Sequence, residues 1–189
     1  MYAKGSRYYE DEPVYRSSME DIDWDFVAEY CKKIGYQKSA KEYIRQNNDF
    51  VVNHNGREEM SGAAILLFGK NPQRFFKRAR VRFIRYDGIE AKVGTEMNVI
   101  KDEMFEGRIL DMVRSSLNFV RSQVKEHTKL GADGLFHTTP EYPEFAWKEI
   151  IINSIATVIT ALREPIYKLK CLMTGSLSRV PVSCPELCV

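Results

Sequence analysis

No stretch of this chain is apolar for long enough to cross a bilayer, and its opening, Met1-Tyr-Ala-Lys-Gly-Ser-Arg-Tyr-Tyr-Glu, has no apolar core of the kind a signal peptide needs. Neither membrane insertion nor secretion is expected, and the expected compartment is the cytoplasm. An excess of charge of one sign is missing too: 28 Lys and Arg against 26 Asp and Glu leave +2. A protein that holds nucleic acid by bulk charge is more basic, so any such binding has to come from a local patch. Histidine is scarce, and His54, His127 and His137 are scattered, as surface or loop residues are. Of four cysteines, Cys31 stands alone on a helical pattern, while Cys171, Cys184 and Cys188 crowd the last segment. Cys184-Pro-Glu-Leu-Cys188 is not a Cys-x-x-Cys pair and has no histidine near it, so a zinc site has little support. There is no internal repeat and no low-complexity tract. What is present, 44% hydrophobic residues in a chain of 189, is enough to bury a core in one domain or two small ones.

Residues 1–18 are polar and tyrosine-rich, and read as a loop or strand remnant. Asp21 or Asp23 caps a helix whose apolar positions are Trp24, Val27, Ala28, Tyr30 and Cys31, and Gly35 stops it. A second short helix starts at Ser39 and carries Ala40, Tyr43 and Ile44. Asn53-His54-Asn55-Gly56 is turn chemistry. Residues 61–68 are compact and apolar and predict a buried helix ended by Gly69. Asn71-Pro72 opens a further helical turn through Phe76. From 79 to 86 the pattern alternates and predicts a strand with one wet face, with Val81 and Phe83 inward and Arg80 and Arg82 outward; Asp87-Gly88 closes it. Another strand is predicted near 97–100. Residues 106–124 carry the strongest helical stripe: Ile109, Met112, Val113, Leu117, Val120 and Val124. A glycine-containing loop follows at 131–134, then an extended segment at 135–139. Pro143 opens a helix through Phe145, Ala146, Ile150, Ile151 and Ile155. The expected fold class is α/β (α+β), a small mixed helix-strand domain.

Lys70, Arg74, Lys77, Arg78, Arg80, Arg82 and Arg85 interleave with Phe75, Phe76, Phe83 and Tyr86. Cations for phosphates and rings for bases suit a nucleic-acid surface. The same pattern also suits a solvated strand face above core aromatics. Tyr8, Tyr9 and Tyr15 read as partner-facing residues. Arg114, Arg121 and Lys125 form the solvated face of the long helix.

Three segments together resemble one family. Leu66-Leu67-Phe68-Gly69-Lys70-Asn71-Pro72-Gln73-Arg74-Phe75-Phe76, running into Ala79-Arg80-Val81-Arg82-Phe83, looks like the central signature of the transcriptional regulators related to RecG helicases. Glu106-Gly107 before the long helix fits the family spacing. Tyr142-Pro143 followed by Lys148-Glu149-Ile150-Ile151-Ile152-Asn153-Ser154-Ile155-Ala156 resembles the first helix of the family's divergent GHKL-type ATP-binding domain. The resemblance covers about residues 20–156. It implies an AlbA-type domain, shared with Schlafen proteins, ahead of the central region, and Tyr2 and Gly5-Ser6 resemble that domain's last strand. The domain reading is then 1–18, a remnant of the AlbA-type domain; 19–130, the central RecG-related α/β region; 131–156, the start of an incomplete GHKL-type ATP-binding domain; and 157–189, a tail read out of frame. The strands of that domain with which the residues before Asp21 once paired would be missing, so those residues are expected to pack poorly.

Glu149 and Asn153 are four apart and share one helix face. The resemblance implies that Glu149 is catalytic, orienting or deprotonating the attacking water, and that Asn153 holds the magnesium of Mg-ATP in an intact domain. From spacing alone the pair is more simply the solvated edge of an amphipathic helix. The family also expects a His-Arg-Asp-Tyr run after this helix and, later, a glycine- and proline-rich loop over the nucleotide. Here Thr157-Val158-Ile159-Thr160-Ala161 stands in the first place and the loop is missing from the sequence. Backbone N–H groups of such a loop are a main phosphate cradle. ATP and magnesium are thus cofactors of the intact family, none is expected for this chain, and on its own it is expected to catalyse nothing. Two roles stay open. One is a truncated ATP-binding, DNA-associated transcriptional regulator or helicase-like protein. The other is a non-enzymatic nucleic-acid-binding or homo-oligomerisation module using the basic segment 70–86.

The tail changes composition abruptly, and no helix or strand period is evident in it; without paired strands to cover it, the apolar face around Ile151 and Ile155 is expected to be exposed or covered only loosely. Residues 156–162 can be written GCC ACC GTG ATT ACA GCA TTA, and one C restored after GCC turns the same letters into Ala-His-Arg-Asp-Tyr-Ser-Ile, the run the family expects. Codons allowed by residues 163–189 continue in that frame as a strand, a turn, a second strand and a Pro-Gly-rich loop. The coding DNA at codons 156–157 is therefore predicted to accept a single-base repair that restores this reading. A genomic sequence with no such repair, or a repaired protein that ignores ATP, contradicts it.

Overall fold

Asp23 is the residue from which the first helix grows. Its carboxylate accepts a hydrogen bond from the Phe26 N–H at 3.1 Å, filling one of the donors a helix start leaves open. In the computed structural model, which describes residues 11–46, 49–54, 56–88, 90–92 and 94–156 in full and the backbone of 157–160 and 167–172, α1 runs Trp24–Lys33 and Gly35 follows it at φ 72°. That is the left-handed conformation a glycine adopts freely just past a helix. α2 is Ala40–Gln46, and the Ser39 hydroxyl accepts from the Glu42 N–H at 3.2 Å. The turn at Gly56 (φ 77°) joins two strands that the sequence reading did not foresee, β1 (Val51–His54) and β2 (Arg57–Met60), paired antiparallel. α3 is Gly62–Phe68, capped by the Ser61 hydroxyl, and its residues Ala64, Ile65, Leu66 and Phe68 are buried as expected. A single 3-10 turn, Pro72–Arg74, follows.

The chain divides into two compact units, and the described residues up to Ala79 together with Glu106–Asp111 form the first. Its core gathers Ile22, Val27, Cys31, Ile44, Met60, Ala64, Ile65 and Phe68. Phe68 is the hub of the aromatic packing, with ring centroids of Tyr30, Phe50, Tyr43 and Phe26 at 5.4, 5.5, 6.2 and 6.4 Å. Edge-on and tilted ring pairs of this kind each add about 0.5–1.5 kcal/mol beyond the area they bury. Burial, with the neighbouring Tyr30 hydroxyl second, pushes the Tyr43 phenol up to about 12. Burial likewise raises the Cys31 thiol.

The segment before Asp21 is better held than the sequence suggests. Pro13 bridges Ser61, the Val14 N–H donates to the Met60 carbonyl at 2.8 Å, and Ser17 is buried with its hydroxyl accepting from the Met60 N–H at 2.8 Å. A capping box between Ser18 and Asp21 then shapes the 3-10 turn Met19–Asp21. The expectation of poor packing fails for residues 11–20 because backbone pairing to β2 and α3 is joined by Val14 and Met19, which pack against the core. Tyr15 is 73% exposed, while Tyr8 and Tyr9 lie outside the described residues.

The second unit contains Arg80–Phe105 and Met112–Ala156 and adds a strand from beyond 165. β3 (Val81–Tyr86) is central in a mixed sheet, antiparallel to β4 (Val99–Phe105) and parallel to a strand at Tyr167–Leu172. The wet face predicted for β3 is accordingly corrected. Ile84 and Tyr86 are buried on it, and Arg80 and Arg82 are half-buried, held against Met104 and Asp102 of the neighbouring strand β4. α4 is Ile109–Gln123, and Phe119 stacks edge-on against Phe83 at 5.1 Å and tilted against Phe105 at 5.5 Å. β5 (Glu126–Leu130) and β6 (Phe136–Pro140) form an exposed hairpin where only the second strand was foreseen. α5 is Glu144–Thr160, and β7 is the strand Tyr167–Leu172.

Two expectations about the tail are overturned. Helix α5 continues past Ala156, and β7 pairs with β3 all along its length. Its sequence, Tyr167-Lys-Leu-Lys-Cys-Leu, alternates apolar and basic residues over 167–171, a strand period the sequence reading overlooked. Ile151 and Ile155 are each 1% exposed, so that face of α5 is covered. Cys184 and Cys188 lie outside the described residues. The architecture is α+β, and no helix of the described residues is long and apolar enough to cross a membrane.

Two substitutions test the first unit's core. Phe68→Ala is predicted to lower the unfolding free energy by about 3–5 kcal/mol, since four ring contacts and a filled volume are lost. Gly69→Ala would set a Cβ 2.5 Å from the Ile65 carbonyl oxygen and is predicted to cost about 1–3 kcal/mol. Denaturant melts followed by circular dichroism measure both, and a Gly69→Ala protein as stable as the parent contradicts the close approach.

Candidate nucleic-acid interface

The basic segment grows out of the C-terminus of α3. Ile22 forms a backbone bridge to Gly69, with the Asp23 N–H donating to the Phe68 carbonyl and the Lys70 N–H to the Asp21 carbonyl, each at 2.8 Å. This pairing lays residues 19–23 alongside 68–70. The Lys70 ammonium then reaches the Glu20 carbonyl at 2.8 Å, and Arg74 Nη1 meets Asp21 Oδ1 at 2.9 Å. Arg74 is 64% exposed and also lies over the Phe75 ring, 5.2 Å from its centroid. Gln73 pins the turn: its Nε2 donates to the Ala79 and Gly107 carbonyls at 2.8 and 2.9 Å, and its Oε1 accepts from the Gly107 N–H at 3.1 Å. Phe75 and Phe76 pack half-buried on the core, and Lys77 and Arg78 follow, exposed.

Of the seven cations in this run, Lys70, Arg74, Lys77 and Arg78 belong to the first unit, and Arg80, Arg82 and Arg85 to the second. Arg80 places Nη1 3.6 Å from the Met104 sulfur. Arg82 is engaged by both oxygens of Asp102, one at 2.8 Å from its Nε, and this hydrogen bonding raises the guanidinium above its ordinary value. Arg85, in the same run, closes the end of α4 instead, donating to the Gln123 carbonyl at 3.2 Å.

Sequence reasoning missed two features. Arg108 binds Asp23 Oδ2 at 2.7 Å and Asp111 Oδ2 at 2.6 Å while lying 3.7 Å over the Phe26 ring. It fixes the start of α1, and Glu106-Gly107 beside it had been noted only as spacing. The second is an open hollow of about 360 Å³ lined by Met19, Glu20, Trp24, Lys41 and Arg45. Its residues come from three separate stretches of sequence, and the only local signal is Lys41 and Arg45 four apart on α2. Another open hollow, of about 350 Å³, lies by Arg74, with Tyr15, Phe75 and Phe76 among its walls.

Glu149 and Asn153 are both exposed on α5, where the Asn153 amide donates to Glu149 Oε1 at 3.5 Å. One turn earlier Glu144 binds Lys148 and Arg121, at 2.8 and 2.7 Å, and these cations, Lys148 first, hold its carboxyl below the usual range. Magnesium asks for octahedral oxygen ligands, which proteins complete with phosphate and water around one or two carboxylates. Among the described residues no cluster of three metal-ligating side chains gathers, and the pair lines neither hollow. On its own the pair does not fit a Mg-ATP site.

No protein-family model matches the chain, and no curated protein matches it. Among solved structures the chain is similar to the crystal structure of the DIP2311 protein from Corynebacterium diphtheriae, with a TM-score of 0.58 and 14% identity. The match covers 88% of this chain and 31% of that one, so this chain spans less than a third of that protein's length. At this identity the likeness shows the fold alone: the α+β arrangement is one found in a solved protein.

Proposed function

We propose that this chain is a non-enzymatic nucleic-acid-binding module, a piece of a DNA-associated transcriptional regulator or helicase-like protein of the RecG-related kind, that works through its basic segment. The observation that carries this reading is the turn from Lys70 to Arg78. Four cations stand on it, Arg74 and Arg78 flank half-buried Phe75 and Phe76, and Gln73 clamps its backbone. Cations on a fixed backbone lose little freedom on meeting phosphate, which favours contact. Arg74 is 64% exposed even while it is paired with Asp21, so a phosphate can reach it. Arg80 and Arg82 have a smaller part in this reading, since Asp102 already neutralises Arg82.

The test is binding to labelled DNA against salt. Four phosphate contacts predict that log K falls with log salt at a slope of about −3 on single strands. Lys77→Ala and Arg78→Ala are each predicted to flatten the slope by about one, equally for all sequences, and Arg82→Ala to change it less. A slope near zero, or one unmoved by Lys77→Ala and Arg78→Ala, contradicts the reading.

A second reading, that the chain carries the opening of an ATP-binding domain, rests on Glu149 and Asn153 meeting on one face of α5. The resemblance makes Glu149 the catalytic residue and Asn153 the magnesium-side residue of an intact domain. In the present chain the pair has no phosphate cradle among the described residues. The purified protein is predicted to show no magnesium-dependent ATP hydrolysis and no tight nucleotide binding. An ATPase rate that disappears in Glu149→Ala overturns that prediction.

A further inference from the structure

We propose that the hollow lined by Met19, Glu20, Trp24, Lys41 and Arg45 takes one unpaired base of single-stranded DNA, with the base against Trp24 and its phosphate between Lys41 and Arg45. The proposal rests on the nucleic-acid reading above and names the ligand class. At about 360 Å³ the hollow falls in the range of small-molecule pockets, roughly 300–1,000 Å³. One wall is an indole, the surface on which bases of any sequence stack, and a paired base inside a duplex cannot reach such a wall. Two cations of one helix face, Lys41 and Arg45, also line it. Lys41 is exposed and has no ion pair among the described residues. Arg45 is 64% exposed, and its ion pair to Glu58 is long at 3.5 Å, so it is open to a better partner.

The place in the fold supports the same ligand. Glu20 belongs both to this hollow and to the contact with Lys70, whose ammonium sits on the Glu20 carbonyl. The hollow therefore adjoins the basic segment within one unit, and a strand lying along Arg74 and Lys70 continues into it. The Glu20 carboxylate is the one wall group that opposes a phosphate, and this gives a signed test that a merely structural hollow does not predict.

The chain has two tryptophans, Trp24 and Trp147, so Trp147→Phe leaves Trp24 as the sole indole reporter. Full-length Trp147→Phe protein is titrated with an oligothymidylate single strand and with a duplex of equal length. Indole emission is read alongside the anisotropy of a labelled strand. The single strand is expected to quench Trp24 and the duplex to leave it unchanged. Lys41→Ala and Arg45→Ala are expected to weaken single-strand binding by about 5-fold or more each, and Glu20→Gln to tighten it roughly twofold to fivefold. All three residues are exposed, so these variants keep the core intact. Single-strand binding with unquenched Trp24 and no response to Lys41→Ala, Arg45→Ala and Glu20→Gln overturns the proposal while leaving the basic-segment reading standing. Equal quenching by the duplex overturns the choice of an unpaired base. No binding of either DNA at low salt overturns both readings.

Discussion

The backbone bridge between Ile22 and Gly69 is the constraint on which the first unit depends. It joins two stretches some 45 residues apart with main-chain hydrogen bonds on either side, Asp23 to Phe68 and Lys70 to Asp21. Gly69 has to be glycine for reasons of space: its φ is an ordinary −66°, but a side chain would strike the Ile65 carbonyl. With the bridge made, Ile22 is fully buried and Asp23 starts α1 under the Arg108 clamp. Asp21 and the Glu20 carbonyl then meet Arg74 and Lys70. The basic turn and the Trp24 hollow thus share a single support.

Much of this support was legible because it rests on local chemistry. Asp23, Gly35, Ser61 and Gly69 are start and stop signals whose effect spans one helical turn, and α1 and α3 lie where those residues put them. The hairpin β1–β2 was not legible. Arg57-Glu-Glu-Met60 has no alternation, and its buried Glu59 is tolerated through His54, whose Nδ1 lies 3.4 Å away across the pair. The central place of β3 was hidden for another reason: it pairs with β7, more than 80 residues downstream, and a strand cannot show in its own sequence whether it has one neighbour or two.

The site divides in the same way. The run of cations from Lys70 to Arg82 is plain in the sequence, but which of them face solvent is settled by distant partners. Asp102 occupies Arg82, Gln123 takes Arg85, and Asp21 holds Arg74 loosely at the surface. The hollow beside Trp24 combines a 3-10 turn, the first residue of α1 and one face of α2. No spacing rule links those pieces. Glu149 and Asn153 are the reverse case: their spacing was read correctly and they do touch, yet a shared helix face does not supply the remaining walls of a nucleotide site.

If one surface of the first unit is responsible for binding, chemical-shift mapping of the labelled protein with an oligothymidylate strand tests it most directly. The Trp24 indole N–H and the amides of Lys41, Lys70, Arg74 and Arg78 are predicted to shift together along a single binding curve, while those of Glu149 and Asn153 on α5 stay in place. Shifts centred on α5, with the residues around Ile22 and Gly69 unmoved, would contradict it.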